Sequence, residues 1–258
     1  MDEHIKIITL NTWGGMGGTD GLLSFFKSYQ DTDIFCLQET WNGGAGEKAA
    51  NAAGRSLERV DTDLLSKIKA VLPDHVTYFK SQYVSYFGIT IFVRNTFSVV
   101  DEGAVCVYRE PGYVSTEDIA DHARILQYVT LETASGLLTV CNIHGAWQPG
   151  GKTDTPERLD QSWRIIDFTK RFSHPLILAG DFNLTLNTRS VQLIEEAGWE
   201  NLIRTHNITS TRTSFYDKPE KFADYVFVKN GVRVEEFCVL PEQISDHAPL
   251  FLSCTLPV

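Results

Sequence analysis

The stretch "PLILAGDFN" (residues 175–183) contains a continuous apolar run that ends at a glycine and is followed by polar residues. Because the run lacks polar alternation, it is typical of a short strand that is buried on both faces. Asp181 and Asn183 follow Gly180 and are two positions apart, so an extended turn places both side chains on the same side. The stretch therefore predicts a buried strand with two polar side chains at its end.

Other runs have similar length and a similar β-branched or aromatic content. Together with 175–180, they predict at least eight strands, the others at residues 5–10, 33–38, 87–93, 124–131, 137–143, 224–228 and 249–254. Amphipathic segments between them predict helices at residues 20–30, 47–72, 156–171 and 189–197. Two packed sheets with helices outside satisfy this pattern, and we expect a single domain over residues 1–258.

Composition limits the classes of partner. The chain has 258 residues, 43% of them apolar, with a formal net charge of -10 and a pI near 5.2. This length supports a substantial core. The acidic balance disfavours general affinity for DNA or for an anionic membrane, although it permits a local basic groove.

The sequence carries no pattern of a secreted or membrane protein. "MDEHIKIITLN" (1–11) lacks the basic and hydrophobic regions of a signal peptide, and no later run has the length of a membrane span. The five cysteines are widely spaced and lie mostly in strand-like runs, so we expect reduced core thiols. These features predict a cytoplasmic enzyme without membrane association, and no obligate protein partner is evident.

Polar residues stand where the predicted strands begin or end. They are acids, amides and histidines that are far apart in sequence: Asn11, Glu39, His144, Asp181, Asn183, Asp224, Asp246 and His247. Side chains at the ends of neighbouring strands meet at one edge of a sheet. This arrangement is typical of a catalytic or binding site that is assembled on a sheet.

The stretch "ISDHAPL" (244–250) places Ser245, Asp246 and His247 side by side, which suggests a catalytic triad. Backbone geometry argues against that interpretation, because successive side chains of an extended segment point to opposite faces. If His247 is a catalytic base, its carboxylate partner must come from elsewhere in the chain.

The ordered motifs are similar to those of the endonuclease/exonuclease/phosphatase superfamily, which includes deoxyribonuclease I, abasic-site endonucleases, sphingomyelinases and inositol polyphosphate phosphatases. The motifs are "LNTW", "LQETW", "NIHG", "GDFN", "ADYVFV" and "SDHAP", and they span nearly the whole chain. The resemblance implies a four-layer αββα sandwich, a divalent metal ion and hydrolysis of a phosphate ester.

Residue types favour Mg²⁺ or Mn²⁺ as the metal. Glu39 and Asp246 offer hard oxygen ligands, and Asn11 offers a carbonyl oxygen or positions a metal-bound water. No thiolate or paired-histidine spacing in the sequence competes for zinc.

The resemblance also implies catalytic roles. His247 matches the histidine that deprotonates or orients the attacking water, and Asp224 matches the carboxylate that holds it. Asp181 and Asn183 match the pair that binds the water and a phosphate oxygen. His144 resembles the second histidine of the nuclease branch, which donates to the phosphate.

Each of these residues also has a purely structural interpretation. Asn11 and Asn183 are common turn residues, and Asp181 after a glycine suits a turn or a helix N-cap. Asp224 fits a surface acid at the start of a strand, and His144 fits an exposed loop. Taken as an ordered set, the residues favour the functional interpretation.

Tryptophans and one basic loop bear on the substrate. Trp13, Trp41 and Trp147 each follow a candidate site residue by two or three positions, so they either line the cleft, where an indole can stack on a flat group, or fill loops against the core. The loop 203–222 carries Arg204, Arg212, Lys218 and Lys221 with Phe215 and Tyr216, and Arg212 is the candidate phosphate ligand. A solvated surface loop is the alternative.

Further residues have two possible positions. Arg94 reaches either the cleft or a surface acid, and we include it among the candidate substrate ligands. Tyr83 resembles a tyrosine near the phosphate in abasic-site enzymes, but Tyr86 is an equal candidate. Arg158 and Gln161 lie one turn apart at the start of a predicted helix, where structural support is the expected role.

Departures from the better-known branches narrow the substrate. The chain lacks the "WCDRIL"-like strand of inositol polyphosphate phosphatases, the disulfide pattern of secreted deoxyribonucleases and a hydrophobic hairpin for membrane docking. We therefore expect a phosphodiester of DNA or RNA, or alternatively a small phosphorylated metabolite or nucleotide. A non-catalytic binding protein on the same fold is the alternative of a different class, and it predicts the loss of at least one metal or base position.

Overall fold

The computed structural model of the protein describes residues 4–44, 51–52, 55–82 and 84–257. Its strands are β1 (Ile5–Asn11), β2 (Ile34–Trp41), β3 (Asn51–Ala52), β4 (Arg55–Ser56), β5 (His75–Ser81), β6 (Phe87–Arg94), β7 (Ser98–Tyr108), β8 (Arg124–Thr133), β9 (Gly136–His144), β10 (Leu176–Asp181), β11 (Glu200–Asn201), β12 (Asp224–Lys229), β13 (Arg233–Val239) and β14 (Leu250–Thr255). Its helices are α1 (Thr19–Ser28), α2 (Leu64–Val71), α3 (Pro156–Thr169), α4 (Arg189–Glu196) and α5 (Leu202–Thr205), and a 3-10 turn covers Trp13–Gly15. Across these described segments, no helix is long and apolar enough to cross a membrane.

Twelve of these strands form two six-stranded sheets. The first has the order β13-β14-β1-β2-β6-β5, and the second has the order β11-β12-β10-β9-β8-β7. In each sheet the two central strands are parallel and are joined through a helix, α1 for β1 and β2 and α3 for β9 and β10. The other neighbouring strands are antiparallel.

The two sheets pack face to face with helices outside, which confirms the predicted four-layer sandwich. Alternate residues of β1 point to opposite sides. Ile7 belongs to the core between the sheets together with Val140 of β9, whereas Ile8 belongs to the core under α1 together with Phe26. On the other side of the molecule, Ile194 of α4 belongs to the same core as the second sheet. Each such side chain contributes about 1.5–3 kcal/mol by leaving water.

A layer of hydrogen-bonded polar side chains crosses the sandwich near one end. Asn142 of β9 donates to the carbonyl oxygens of Leu37 and Thr90 in the other sheet, at 3.1 and 3.2 Å. In return, Gln38 of β2 donates to Asn142 Oδ1 at 2.7 Å. Because an unpaired amide in this core would be destabilising, these bonds fix the relative position of the two sheets.

The strand predictions are confirmed, but the long helix predicted at 47–72 is wrong. Among the described residues of this range only Leu64–Val71 is helical, and residues 51–52 pair with residues 55–56 as short antiparallel strands. The apolar residues that suggested one long helix belong to two separate clusters. Leu57 and Val60 belong with Trp41 near the site, whereas Leu64 belongs with the residues of α1.

The strands that the sequence did not predict include every edge strand of the large sheets: β5, β7, β11 and β13. Edge strands have one exposed side and tolerate polar residues, as in the stretch "SVVDEGAVCVY" of β7. Such stretches lack the apolar run by which buried strands are recognised.

Gly180 is required at the end of β10. Its φ is +136°, and a Cβ atom at this position would lie 2.1 Å from the carbonyl oxygen of Ile143 in the neighbouring strand. We expect Gly180→Ala to lower the free energy of unfolding by about 2–3 kcal/mol, measured by chemical denaturation.

Gly21→Ala is the matched control, because Gly21 lies in α1 and a Cβ there makes only ordinary contact with Ile244. We expect it to be neutral or to stabilise by up to about 1 kcal/mol. Equal stability of the Gly180→Ala variant and the wild type would contradict the assigned backbone geometry.

Candidate active site

The strand registers bring the predicted polar residues to one end of the sandwich. In the second sheet, Asp181 of β10 lies opposite His144 of β9 on one side and Asp224 of β12 on the other. In the first sheet, Asn11 ends β1, and Glu39 lies close to the end of β2. All eight predicted residues therefore meet at the edge where both sheets end, as expected.

A cleft opens at this edge. The residues that line it are Trp13, Met16, Glu39, Trp41, Leu57, Val60, Phe87, Ile119, Ala120, His122, Arg124, His144, Trp147, Lys152, Asp181, Asn183, Arg212, Tyr216, Lys218, Asp246 and His247. The lining therefore combines apolar and aromatic side chains with carboxylates, imidazoles and cations.

His247 is held by Asp224. Its Nδ1 atom lies 2.8 and 2.9 Å from the two carboxylate oxygens of Asp224, and Thr211 Oγ1 donates to the same carboxylate at 3.0 Å. The partner of this histidine thus comes from another strand, as backbone geometry required. Nδ1 carries the proton in this arrangement, which leaves Nε2 as a proton acceptor at the cleft.

Ser245 and Asp246, which precede His247, make different contacts. The Ser245 hydroxyl donates to the carbonyl oxygen of Asn11 at 2.7 Å, which fastens this segment to β1. Asp246 lines the cleft. Burial lowers the pKa of the His247 imidazole, and the Arg212 guanidinium lowers it further, so the ring is neutral at pH 7.

Asp181 occupies the centre of the site. Its Oδ2 atom accepts a hydrogen bond from Asn11 Nδ2 at 3.0 Å and lies 3.7 Å from His247 Nε2 and 3.8 Å from His144 Nε2. Its Oδ1 atom accepts from the backbone N–H of Asn183 at 2.8 Å. The carboxylate is therefore oriented from both sheets and lies between the two imidazoles.

The side chain of Asn11 is held by hydrogen bonds at both its nitrogen and its oxygen. Its Nδ2 atom donates to both Glu39 Oε1 and Asp181 Oδ2 at 3.0 Å, and its Oδ1 atom accepts from the backbone N–H of Trp13 at 2.9 Å. Asn11 therefore orients two carboxylates, and its role as a metal ligand stays a prediction.

Backbone irregularity accompanies these side chains. Glu39, Asn183 and Trp13 have φ values of 54°, 55° and 51°, a region that non-glycine residues rarely occupy. Glu39 also lies where the register between β2 and β6 shifts, between Leu37 and Thr40. A bulge of this kind changes the direction of a side chain, which explains why both Gln38 and Glu39 point inward. Such strain is concentrated at functional sites.

The donor set fits a hard divalent cation. Burial, together with the nearby carboxylates of Asp246 and Asp181, raises the pKa of Glu39 to about 7. A cation among these three carboxylates would relieve their repulsion. Asp181, Asp224 and His247 also have ligand atoms within 4.8 Å of one another. We favour Glu39, Asp246 and Asp181 as the ligand set, because Asp224 is already bound by His247 and Thr211.

Arg124 is a residue of the site that the sequence did not predict. This arginine is 1% exposed at the start of β8, and its Nη1 donates to His144 Nδ1 at 2.9 Å. Nδ1 of His144 therefore accepts, and Nε2 carries the proton and points toward Glu39 Oε1 at 3.6 Å. Burial lowers the pKa of His144, and Arg124 adds to the decrease. The sequence signal that could have identified Arg124 is a charged residue at the start of a strand that is buried on both faces.

Lys152 was missed as well. Its Nζ donates to Asn183 Oδ1 at 2.5 Å, and burial lowers its pKa to about 8, with the Arg212 guanidinium contributing to the decrease. The loop that carries it gave no sequence signal beyond its glycines. Arg158 holds this loop by donating to the carbonyl oxygens of Thr153 and Gly151, which agrees with the structural role expected for that arginine.

Two candidate substrate ligands line the cleft. Arg212 and Trp147 are both part of its wall, together with the other two predicted tryptophans, Trp13 and Trp41. Of the other cations in the predicted basic loop, Lys218 lines the cleft, whereas Arg204 pairs with Glu195 on the surface at 3.0 Å. The loop as a whole is therefore not a continuous basic surface.

The assignment of Arg94 as a substrate ligand is wrong. Arg94 Nε binds Asp33 Oδ1 at 3.2 Å, at the end of the sheet opposite to the cleft, so the surface-acid alternative is correct. Its strand runs antiparallel to β2, which carries its last residue away from Glu39. Tyr83 lies outside the described residues, whereas the ring of Tyr86 stacks on Trp41 with centroids 5.9 Å apart.

Comparison with known families gives a match over most of the chain. The model of the endonuclease/exonuclease/phosphatase family matches residues 8–247. No curated protein matches the chain.

Solved structures are similar over the whole chain at low sequence identity. A family protein from Bacteroides thetaiotaomicron has a TM-score of 0.76 at 18% identity and covers 100% of both chains. A mannosyl-6-phosphatase from the same organism has a TM-score of 0.73 at 18% identity, covering 98% of this chain and 100% of the other. A humanized D. rerio TDP2 has a TM-score of 0.72 at 15% identity, covering 98% of this chain and 99% of the other.

The hydrogen bonds predict opposite tautomers for the two imidazoles. We expect His144 to carry its proton on Nε2 and His247 on Nδ1, because Arg124 donates to the first ring and Asp224 accepts from the second. Long-range ¹H–¹⁵N correlation spectra at pH 7 measure both.

The variant Arg124→Leu provides the control, since it removes the donor to His144 and leaves the contact of His247 with Asp224 in place. We expect its His144 signals to change and its His247 signals to keep the wild-type pattern. Protonation of Nδ1 of His144 in the wild type would contradict the geometry.

Proposed function

The chain belongs to the endonuclease/exonuclease/phosphatase family, and from this membership we propose that it is a divalent-metal-dependent hydrolase in which His247 activates water to cleave a phosphate ester. The observation that carries the proposal is the contact of His247 with Asp224, since both oxygens of this carboxylate lie within 2.9 Å of Nδ1. This contact leaves Nε2 facing the cleft, 3.7 Å from Asp181 Oδ2. An acceptor nitrogen that faces the cleft from a neutral, fixed ring is what a general base requires.

The other site residues have complementary roles in this mechanism. Asp181 and Asn183 orient the attacking water and a phosphate oxygen, and the Nε2–H of His144 donates to another oxygen of the phosphate. Water attacks phosphorus, its proton passes to His247 Nε2, and the bond from phosphorus to the leaving oxygen breaks. General base catalysis of this kind contributes about 10²- to 10⁴-fold in rate.

Glu39 and Asp246, with Asp181, would hold Mg²⁺ or Mn²⁺ beside these groups. When bound, the ion supplies positive charge against the charge that develops on the phosphoryl and leaving oxygens. The mutual repulsion of these carboxylates supports this assignment, because the pKa of Glu39 is raised partly by Asp246 and Asp181.

The fold does not determine whether the cleaved bond belongs to a phosphodiester or to a phosphomonoester. The predicted phosphodiester of DNA or RNA rests on the resemblance to nucleases, and it remains a prediction. One structural neighbour is named a mannosyl-6-phosphatase, so the same fold also occurs in a protein that acts on a phosphomonoester. The choice between the two depends on the cleft of this chain.

We expect His247→Ala and Asp181→Ala each to lower kcat for metal-supported hydrolysis of aryl phosphates by about 10²-fold or more, because each removes a group that handles the attacking water. His206→Ala is the control, since His206 is exposed and outside the cleft, and its rate should stay within about twofold of the wild type. Circular dichroism checks that the variants are folded. Wild-type rates in both site variants would refute the mechanism.

Metal binding has its own test. Mg²⁺ or Mn²⁺ should raise the Tm of the wild type relative to protein in EDTA, since a ligand at 100 times its Kd stabilises the folded state by about 2.7 kcal/mol. Glu39→Ala should reduce this shift, whereas Glu132→Ala, at an exposed position of β8, should preserve it. The same Tm with and without metal in the wild type would exclude binding at this site.

A further inference from the structure

We propose that the cleft takes a terminal phosphate group, that is, a phosphomonoester of a small molecule, and that Lys152 and Arg212 are the residues that select it. This inference rests on the proposed hydrolysis of a phosphate ester and specifies its substrate class. It is carried by a set of cations that the assigned mechanism does not use.

Arg212 is a buried guanidinium with unused hydrogen-bond donors. Its side chain is only 5% exposed, and its Nε and Nη1 atoms are buried without a hydrogen-bond partner in the described structure. Its nearest carboxylate oxygen, Asp246 Oδ2, is 3.9 Å from Nη1, which is too far for a hydrogen bond. A buried guanidinium in this state is stabilised by an anion that accepts from it.

The position of Arg212 is fixed by the backbone and by an aromatic ring. Its backbone pairs with that of His247 in a short β-bridge, and the adjacent Ala248 N–H donates to the carbonyl oxygen of Thr211 at 2.9 Å. The Tyr216 ring lies 4.0 Å from the guanidinium carbon. Arg212 is therefore held beside the proposed catalytic base and is not a mobile surface side chain.

Lys152 provides a second cation from the opposite loop. Its ammonium group donates to Asn183 Oδ1 and, among the described residues, has no carboxylate within ion-pair distance. The backbone around it is anchored, because Thr185 N–H donates to the Lys152 carbonyl oxygen at 2.9 Å and Asp154 accepts from the N-terminal N–H groups of α4. The loop thus holds the ammonium group at the cleft.

The carboxylates of the cleft compensate these two cations only in part. Arg212 Nη1 forms a long ion pair with Asp246 Oδ2 at 3.9 Å, without a hydrogen bond. Burial and the Arg212 guanidinium lower the pKa of Lys152 to about 8 although the nearby carboxylates act in the other direction, so the two cations repel each other. A divalent metal at Glu39 and Asp246 would add further positive charge to the same cleft. An anion with more than one negative charge, bound between Lys152 and Arg212, resolves this repulsion.

The charge and the oxygen count distinguish the two ester classes. A phosphomonoester carries about -1.5 to -2 charges at pH 7, whereas a phosphodiester carries about -1. The monoester also has a third terminal oxygen, which needs donors beyond those that serve the other two. Lys152 and Arg212 supply both the charge and the donors.

A small molecule fits the rest of the cleft better than a polynucleotide. Part of the cleft lining is apolar and aromatic, including Trp13, Trp41 and Phe87, which belong to one hydrophobic cluster. A nucleic-acid backbone is bound by a row of exposed cations, but surface arginines here pair with acids, as Arg204 does with Glu195. The net charge of -10 opposes such binding as well.

The test compares kcat/KM for p-nitrophenyl phosphate and bis(p-nitrophenyl) phosphate in the wild type and in Lys152→Gln and Arg212→Gln. We expect the wild type to prefer the monoester by at least about 10-fold, and each variant to lose roughly 10- to 100-fold on the monoester, the size of one charge-assisted hydrogen bond. The loss on the diester should be several times smaller, so the ratio falls. Lys221→Gln, an exposed lysine of the same loop as Arg212, should keep the wild-type ratio.

Binding of inorganic phosphate gives a readout that does not depend on turnover. In EDTA and at matched ionic strength, phosphate should raise the Tm of the wild type more than chloride does, and both cleft variants should lose this difference.

Other outcomes would overturn the proposal. A wild type that prefers the diester, or equal losses on both esters in the variants, would refute selection of a terminal phosphate. Faster removal of phosphate from a 5′-phosphorylated oligonucleotide than from the aryl monoester would indicate that the substrate is a nucleic acid and not a small molecule. Absence of all hydrolysis in a protein that phosphate still stabilises would refute the proposed function but preserve the phosphate site.

Discussion

The hydrogen bond from Asn11 to Asp181 joins the two sheets at the point where the site is built. Asn11 ends a central strand of one sheet and Asp181 ends a central strand of the other, and 3.0 Å separates the two atoms. The polar layer around Asn142 keeps the sheets from sliding, so this contact has a fixed geometry. Every other site residue takes its position from one of these sheets or from a loop fastened to them. The packing of the two sheets therefore brings residues from distant parts of the chain within hydrogen-bonding distance.

The electrostatics of the cleft follow from two sets of like charges. Carboxylates and cations both line the cleft, and the pKa of Glu39 is raised while the pKa of Lys152 is lowered. Both sets are unfavourable by themselves, and they do not neutralise each other by close pairing. The proposed divalent metal beside the carboxylates and the proposed phosphate dianion beside the cations would relieve both repulsions together.

Much of the fold and site was predictable because buried strands and their polar ends leave a clear pattern. The strand that ends at Asp181 is an uninterrupted apolar run followed by polar residues, and several other buried strands also end at an acid, an amide or a histidine. Edge strands lacked that pattern because they are exposed on one side. Lys152 was not predicted, because its position depends on how a glycine-containing loop folds back onto Asn183. Arg94 was misplaced because the sequence alone does not fix which end of an antiparallel strand faces the cleft.

The central claim is that the protein uses water to cleave the bond between phosphorus and an ester oxygen. The most direct measurement is hydrolysis of p-nitrophenyl phosphate by the wild type with Mg²⁺ in ¹⁸O-labelled water, followed by mass spectrometry of both products. We expect metal-dependent release of inorganic phosphate that contains one solvent oxygen and p-nitrophenol that contains none. Labelled p-nitrophenol, or no release of phosphate by folded protein with either Mg²⁺ or Mn²⁺, would contradict it.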